Sequence, residues 1–388
     1  MWKLSLTIIC KYTKGMKIMF NDFEHKSLTN VMRAYNVLSD EESKMIFRQR
    51  INWYLTRNFQ YLADMIKMAT KIDKDDKQRI SDFMADWHPN KEFIVWGAGM
   101  AGEYLAWHAK IINLKVLAAC DNDKKFWGGH LKRVDVPIYS PDEIKKFKDK
   151  AVLITPCVAQ NEIYEQLLKI GFCRENIYLP DYHFAFEWKD QYFDLSIMQP
   201  QNDEVFLDCG CLNLESSVQF MKWCAGRYKK IIAFEADKSN YDMCQAIKSD
   251  NLSNDDRICI ENFALWDSKT VLKFDGGQLA ASHLDEDGKS SIKTITIDDY
   301  IKEKAIDDKV TFIKMDIEGA EMKALEGAQK TISRDKPKLA ISVYHSADDL
   351  VDIPLYVKKL NPGYTIFFRH YSSTVCETVM YAVDKSFV

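Results

Sequence analysis

No two cysteines in this 388-residue sequence are spaced as CxxC, although ten are spread between Cys10 and Cys376. The eight histidines show no ligand-like spacing with them, so no zinc centre is expected. The thiols lack the density and regularity of a disulfide framework, which points to reduced cysteines and a cytoplasmic setting. Basic charge is not in excess either: 53 Lys and Arg face 57 Asp and Glu, a net charge of −4. The cations are scattered and form no stripe with interleaved aromatics, which argues against nucleic acid as a partner. Long apolar runs are missing as well. The run from Leu4 to Cys10 is far shorter than the roughly 20 residues of a membrane span. No small-residue cleavage site follows it, so a signal peptide is not expected, while Met16 and Met19 leave room for a later translation start.

What is present is an ordinary folded composition, 47% hydrophobic and 28% charged, on a chain long enough for two to three domains. Residues 1–90 read as a helical region, with Val31, Tyr35, Leu38 and then Ile46, Ile51, Tyr54, Leu55 at helical spacing. Ser39 and Asp40 followed by Glu42 look like a helix start. Packing or oligomerisation is the expected role here. From Lys91 the style changes. EFIVWGAGMAGEYLAWHAK, VLAACDND, AVLITP, a helix over 158–170 and ENIYLP alternate as strands and helices, which predicts a small parallel α/β unit over 91–182. Residues 183–203 read as a linker.

Alternation restarts at Glu204 and runs to the end. EVFLDCG, KIIAFEA, ICIENFAL, VTFIKMD, KLAISVYH, TIFFRHY and TVMYAV read as seven strands, with an insertion from Lys269 to about Thr296. SSTVCE is too short to carry a parallel crossover, so the last strand is expected to be antiparallel. The overall expectation is α/β, with two doubly wound Rossmann-like units behind a helical start.

In such sheets ligands bind beyond the carboxyl ends of the strands, where strand order reverses. The first long-sheet strand ends LDCGCLNLESS, where Gly210 permits a tight turn and close approach of a ligand. Asp208 is expected to face an ammonium, with Asn213 in the same turn, before a helix start that offers free amides. Glu235, in AFEAD, suits a pair of ribose hydroxyls, the alternative being a helix cap beside Asp237. Asn262, Phe263 and Ala264 end the third strand where an adenine ring would sit, or are ordinary packing. FIKMDIEGAEMKALEGAQ brings Lys314, Asp316, Glu318 and Glu321 together. Crowded carboxylates need a cation, a substrate or a helix N-terminus to compensate them, and the spacing lets Glu318 and Glu321 share a helix face.

FLDCG, AFEAD, MDIEGAE with LEGA after it, and the LAISVYH–FFRHYS–MYAV ending resemble the FkbM family of methyltransferases over residues 204–384. The resemblance implies the seven-stranded class I methyltransferase sheet. It also implies methyl transfer from S-adenosyl-L-methionine to a hydroxyl of a sugar, glycan or related acceptor, with a setting in surface-polysaccharide biosynthesis. By position, Asp208, Gly210 and Glu235 would bind the cofactor, and Asp316, Glu318 and Glu321 would lie beside the transfer site. Leu214 stands where such sequences commonly carry a second glycine. A leucine there is expected to resist the required backbone and to crowd the cofactor.

An in-line displacement at the methyl group needs the acceptor hydroxyl positioned and its proton removed. His345 and Asp316 are the candidate bases, and His370 is a weaker one. A divalent cation on Asp316 and Glu318 is the other route to an acidified hydroxyl. In the front unit, Gly97, Gly99 and Gly102 form GxGxxG between a strand and a helix, with Asp121 about twenty residues on, the context of a nucleotide pyrophosphate and its ribose. That unit resembles the small nucleotide-binding-like domain at the front of some sugar acetyltransferases and surface-polysaccharide enzymes. It would bind a nucleotide or nucleotide-sugar, or serve as a scaffold for the acceptor. Two other readings remain: a nucleotide-sugar oxidoreductase or epimerase using the front glycines, and a non-catalytic binding protein on a degenerate methyltransferase fold.

Overall fold

The computed structural model describes residues 27–56, 92–99, 115–131, 134–155, 160–178, 191–275, 290–371 and 377–385, with positions 61, 64, 65, 102, 106, 283 and 284 between them. The expected early extension, the helices expected beyond Thr56 and most of the SSTVCE link lie outside the described residues.

Two helices come first, α1 (Leu28–Val37) and α2 (Glu41–Thr56). Ser27 Oγ accepts from Asn30 N at 3.2 Å and Asp40 Oδ1 from Ser43 N at 2.8 Å. Each satisfies an amide that the first helical turn leaves without a partner.

The front unit is built from β1 (Glu92–Trp96), β2 (Lys115–Cys120), β3 (His130–Leu131), β4 (Val136–Tyr139), β5 (Ala151–Ile154), α3 (Gln160–Ile170) and β6 (Ile177–Tyr178). Its sheet runs β3-β4-β2-β1-β5-β6, parallel except for the β3–β4 pair. β3 and β4 escape a reading by pattern because they are short and Pro137 removes an amide from β4, which reads as a break.

The larger unit continues with β7 (Glu204–Cys209), α4 (Glu215–Trp223), β8 (Tyr228–Phe234), α5 (Lys238–Asn251), β9 (Ile258–Glu261), β10 (Ala264–Leu265), β11 (Val271–Asp275), β12 (His283–Leu284), β13 (Ser290–Ile295) and α6 (Ile297–Glu303). It ends with β14 (Phe312–Met315), α7 (Glu321–Glu326), α8 (Gln329–Asp335), β15 (Lys338–Ser342), α9 (Asp349–Leu360), β16 (Tyr364–His370) and β17 (Thr378–Asp384). The main sheet has seven strands in the order β16-β17-β15-β14-β7-β8-β9. β17 is antiparallel to both neighbours, as the short link demands. ICIENFAL is not one strand. β9 stays in the main sheet, whereas β10 pairs with β13 in a separate four-stranded sheet. The break falls at Asn262, whose amide is tied to the carbonyls of Glu235 and Ala236 at 2.8 and 3.1 Å.

Central strands are buried on both faces, so their residues read as apolar runs. Val205, Leu207, Ile313 and Ile341 feed one core, and Phe206, Phe312 and Ala340 feed the other, following the two-residue alternation of strands. The first core also takes Ala34, Leu38, Met45, Ile46 and Phe47 from α1 and α2. Ser39 N donates to Ile366 O at 2.9 Å and Phe368 N donates to Ser43 Oγ at 2.8 Å. The first two helices therefore cap the outer edge of β16, which would otherwise offer unpaired backbone groups.

Candidate functional site

Strand order reverses between β7 and β14: from β7 the chain builds outward to β8 and β9, then returns to add β14 and β15 on the other side. The turns after β7 and β14 are therefore neighbours at the carboxyl edge, the position where α/β sheets bind ligands. Gly210 shows how tightly they meet. Its φ is +84°, and a Cβ there would lie 2.0 Å from the Asp316 carbonyl oxygen. The glycine is required by the adjoining turn of its own chain.

Asp208 is fully enclosed. Its Oδ2 accepts from Ser216 Oγ at 2.7 Å and Ser217 Oγ at 2.6 Å, and its Oδ1 pairs with Lys314 Nζ at 3.3 Å. Lys314 also donates to the Gly210 carbonyl at 2.6 Å. The expectation that Asp208 faces a ligand ammonium is thus corrected: its charge is met by a buried lysine, and together they brace the turn. Lys314, read as part of the acid cluster, serves this ion pair. Leu214 is corrected as well. It adopts the left-handed backbone, φ +62°, as the N-cap of α4, and its side chain is buried in the second core rather than crowding the turn. Asn213 Oδ1 accepts from Glu215 N at 3.1 Å, within the helix start.

Asp237, and not Glu235, caps α5, accepting from Ser239 N at 2.8 Å and Asn240 N at 3.2 Å. Glu235 is left for the edge. Its Oε2 accepts from Leu212 N and its Oε1 from Asp237 N, both at 2.9 Å. Oε1 also accepts from Asn240 Nδ2 at 3.5 Å, so Oε2 is the oxygen that keeps a further acceptor position. Burial pushes its pKa up to about 7, against the hydrogen bonds from Asp237 and Leu212 that favour the charged form. Asn262 holds the neighbouring strand end, with Phe263 packed on the first core and Ala264 buried in β10.

Beyond β14 the chain makes a turn in which Glu318 (φ +59°) and Gly319 (φ +96°) are both left-handed. A non-glycine residue in that region persists where its surroundings enforce it, and Glu321 does so. Its two oxygens accept from Ile317 N at 2.8 Å and Gly319 N at 3.0 Å. Glu318 and Glu321 consequently share no helix face, since α7 begins only at Glu321. His345, after β15, points into this group. Its Nε2 lies 3.5 Å from both Asp316 Oδ1 and Glu318 Oε2, and its Nδ1 lies 3.0 Å from Glu321 Oε1. Burial alone would lower the His345 pKa, but the charges of Glu321 and Glu318 raise it well above the usual imidazole value. A positive charge here, on the ring or beside it, is what lets these buried acids coexist.

Three residues of this group carry no signal in the sequence. Tyr192 comes from the expected linker, yet it is buried with φ +77° and donates to Asp316 Oδ2 at 3.0 Å. Tyr344 donates to Asp316 Oδ1 at 3.0 Å. Asp349 at the start of α9 is buried, with a pKa raised by desolvation and by the charge of Glu321. His370 is buried against Thr378 Oγ1 at 2.9 Å on β16.

In the front unit, Asp121 Oδ2 accepts from Ala98 N at 2.7 Å, tying the glycine turn to the end of β2. A Cβ on Gly102 would meet the Gly97 carbonyl oxygen, whereas one on Gly99 would meet nothing within 4 Å among the described residues. Gly102 is thus a packing requirement, and Gly99 is not closed off by any of the described residues.

Residues 202–364 match the family described as the methyltransferase FkbM domain. The chain carries a methyltransferase-type domain. Residues 89–178 match the C2185-like N-terminal family, and no curated protein matches the chain. Among solved structures the chain is similar to a methyltransferase FkbM from Methylobacillus flagellatus KT, with 22% identity and a TM-score of 0.51 over 84% of this chain and 98% of that one. At that identity the likeness is one of fold. More distant likenesses are to a precorrin-6y C5,15-methyltransferase from Geobacter metallireducens GS-15 (11% identity, TM-score 0.32, 49% of this chain, 85% of that one). Another is to Aeropyrum pernix fibrillarin with natively bound S-adenosyl-L-methionine (12%, TM-score 0.31, 52% and 73%). Among the described residues, no helix is long and apolar enough to cross a membrane.

Proposed function

We propose that the methyltransferase-type domain uses S-adenosyl-L-methionine to methylate a hydroxyl of a sugar, glycan or related small acceptor. The observation that carries this reading is the reversal of strand order between β7 and β14, which sets the Gly210–Leu214 turn and Glu235 beside the Asp316–Glu321 acids. The cofactor supplies a methyl group on a sulfonium, ready for displacement. Glu235 has the position and, at Oε2, the spare acceptor capacity to take a ribose hydroxyl, and the Gly210 turn, held by Lys314 and Asp208, gives it a rigid floor. On the other side, the acids accept hydrogen bonds from acceptor hydroxyls and hold the reacting oxygen in line, which is the main source of rate in such a transfer. The hydroxyl proton is assigned to a carboxylate of the cluster, Glu318 or Asp316.

Isothermal titration with S-adenosyl-L-methionine tests the reading. Micromolar binding weakened about ten- to a hundredfold by Glu235→Ala, the loss of a charged hydrogen-bond pair, supports it and justifies an acceptor screen among sugars and glycans. No binding to the wild type would leave a fold without the activity. The front unit has one observation in favour of a nucleotide or nucleotide-sugar ligand. Among the described residues nothing closes on Gly99 at the carboxyl end of β1, while Gly102 is closed by packing, the division of roles expected of a pyrophosphate turn. Titration with a nucleoside diphosphate sugar, with and without Gly99→Val, tests that part separately.

A further inference from the structure

His345 is 6% exposed, and neither of its ring nitrogens makes an aligned hydrogen bond. A buried polar group in that state is costly, and such groups ordinarily find a partner. The ring is nevertheless aimed into carboxylates: Asp316 and Glu318 at 3.5 Å from Nε2, and Glu321 at 3.0 Å from Nδ1. Asp316, Glu321 and His345 each bring one ligand-type atom, and these atoms lie within 4.8 Å of one another. Ligand atoms bound at about 2.0–2.2 Å to one ion lie roughly 3–4.4 Å apart, so the group has to draw in by only a fraction of an ångström to hold one.

We infer that this cluster is a divalent-cation site, with Asp316, Glu321 and His345 as its protein ligands and Glu318 as a further carboxylate within reach. The outer contacts fit the assignment. Metal ligands are oriented by groups behind them, and here the Tyr192 and Tyr344 hydroxyls hold the two oxygens of Asp316. The amides of Ile317 and Gly319 hold those of Glu321. An imidazole mixed with carboxylates favours Mn2+ or Zn2+ over Mg2+, which prefers an all-oxygen set with several waters. The site's existence does not depend on the proposed methyl transfer; its role does, since an ion there would meet the acceptor hydroxyl and lower its pKa.

The test uses the full chain, stripped with a chelator and titrated with Mn2+ alone, followed by electron paramagnetic resonance and calorimetry without cofactor or acceptor. One ion per chain at micromolar concentration is expected, and Co2+ should give the visible spectrum of nitrogen ligation. His345→Gln and Asp316→Asn should each weaken binding by at least about tenfold, the size of effect seen when a metal site loses an anchoring group. Glu235→Gln, on the other side of the edge, should not. No binding below millimolar Mn2+, or binding indifferent to both ligand substitutions, overturns the site. So does a histidine that stays doubly protonated in nitrogen-15 spectra at neutral pH while Mn2+ is added. If either ligand variant fails to fold, the wild-type spectra with Co2+ still decide the matter. A protein that binds Mn2+ in this way yet ignores S-adenosyl-L-methionine would separate this site from the proposed activity.

Discussion

The Tyr192 hydroxyl donates to Asp316 Oδ2 at 3.0 Å, joining a residue ahead of the long sheet to the acid at the end of its fourth strand. Tyr192 holds a left-handed backbone to do so, its amide donating to the Tyr381 hydroxyl at 3.0 Å and its ring lying 5.3 Å from the Lys314 ammonium. A strained residue persists where the surrounding structure enforces it. Tyr192 therefore acts as a positioning residue for Asp316.

Tyr192→Phe tests that role. The ring stays, while Asp316 Oδ2 loses a donor, at a cost of about 1–3 kcal/mol. We expect kcat for methyl transfer to fall about tenfold, roughly 1.4 kcal/mol of transition-state stabilisation, with the dissociation constant for S-adenosyl-L-methionine unchanged. A parallel loss of cofactor binding, or no change in kcat, would show that the contact is only structural.

Glu235 gives a pH prediction with a definite sign. Its folded pKa of about 7 lies above the ordinary 4.5. The folded chain thus keeps a proton that the unfolded chain has lost. The stabilisation from this group is complete below the ordinary pKa and is lost as pH rises through about 7. Cofactor binding should run the other way, because ribose hydroxyls donate to the ionised carboxylate. Titrations at pH 6 and pH 8 should show about tenfold tighter binding at the higher pH, one pKa unit on each side of the midpoint. Glu235→Gln should bind more weakly and without that slope. An equal slope in the variant would assign the pH dependence to another group.

Leu214 sets two effects against each other. Replacing it by glycine relieves a left-handed backbone worth about 1–2 kcal/mol. It also removes a fully buried leucine from the second core, and a buried Leu-to-Ala change alone costs about 2.7–5 kcal/mol. Packing should win, and urea denaturation should find Leu214→Gly less stable by about 0.7–4 kcal/mol on the difference of these terms. Cofactor affinity should stay within a few-fold of the wild type. A stabilised variant with tighter binding would restore the idea that this leucine obstructs the site.

The seven strands, their antiparallel ending and the crowd of acids after β14 were legible because each is local. Short apolar runs mark the strands, a six-residue link excludes a crossover, and MDIEGAE writes its carboxylates close together. What could not be read is what folding brings from afar. Lys314 lies two residues from Asp316 in sequence but answers to Asp208 on the next strand. Tyr192 and Asp349 join the cluster from segments with no pattern of their own. Leu214 looked like a defect because sequence shows a missing glycine and not the core pocket that holds the side chain. Short strands such as β3, β4 and β10 fail for a simpler reason, since two to four residues carry no measurable period.

The edge of β16 supplies the last prediction. Arg369 is 8% exposed and pairs with Asp40 at 2.7 Å and Glu42 at 3.3 Å, while Asp40 also caps α2 through Ser43 N. The Arg369 partnership holds the Asp40 carboxyl below its ordinary pKa in spite of burial. Asp40→Ala removes the cap, worth about 1 kcal/mol, and takes one partner from a largely buried guanidinium. Glu42 remains to offset part of that second loss, so a total destabilisation of about 2–3 kcal/mol is expected, below the 3–5 of a fully broken buried pair. The loss should appear in the unfolding of the long sheet itself, followed by the near-ultraviolet signal of its aromatics, because α1 and α2 share its core. A chain shortened to begin at residue 57 should associate through the uncovered edge. If Asp40→Ala left the sheet's transition where it was, and the shortened chain stayed monomeric, the first helices would be an independent element rather than the outer wall of the methyltransferase-type domain.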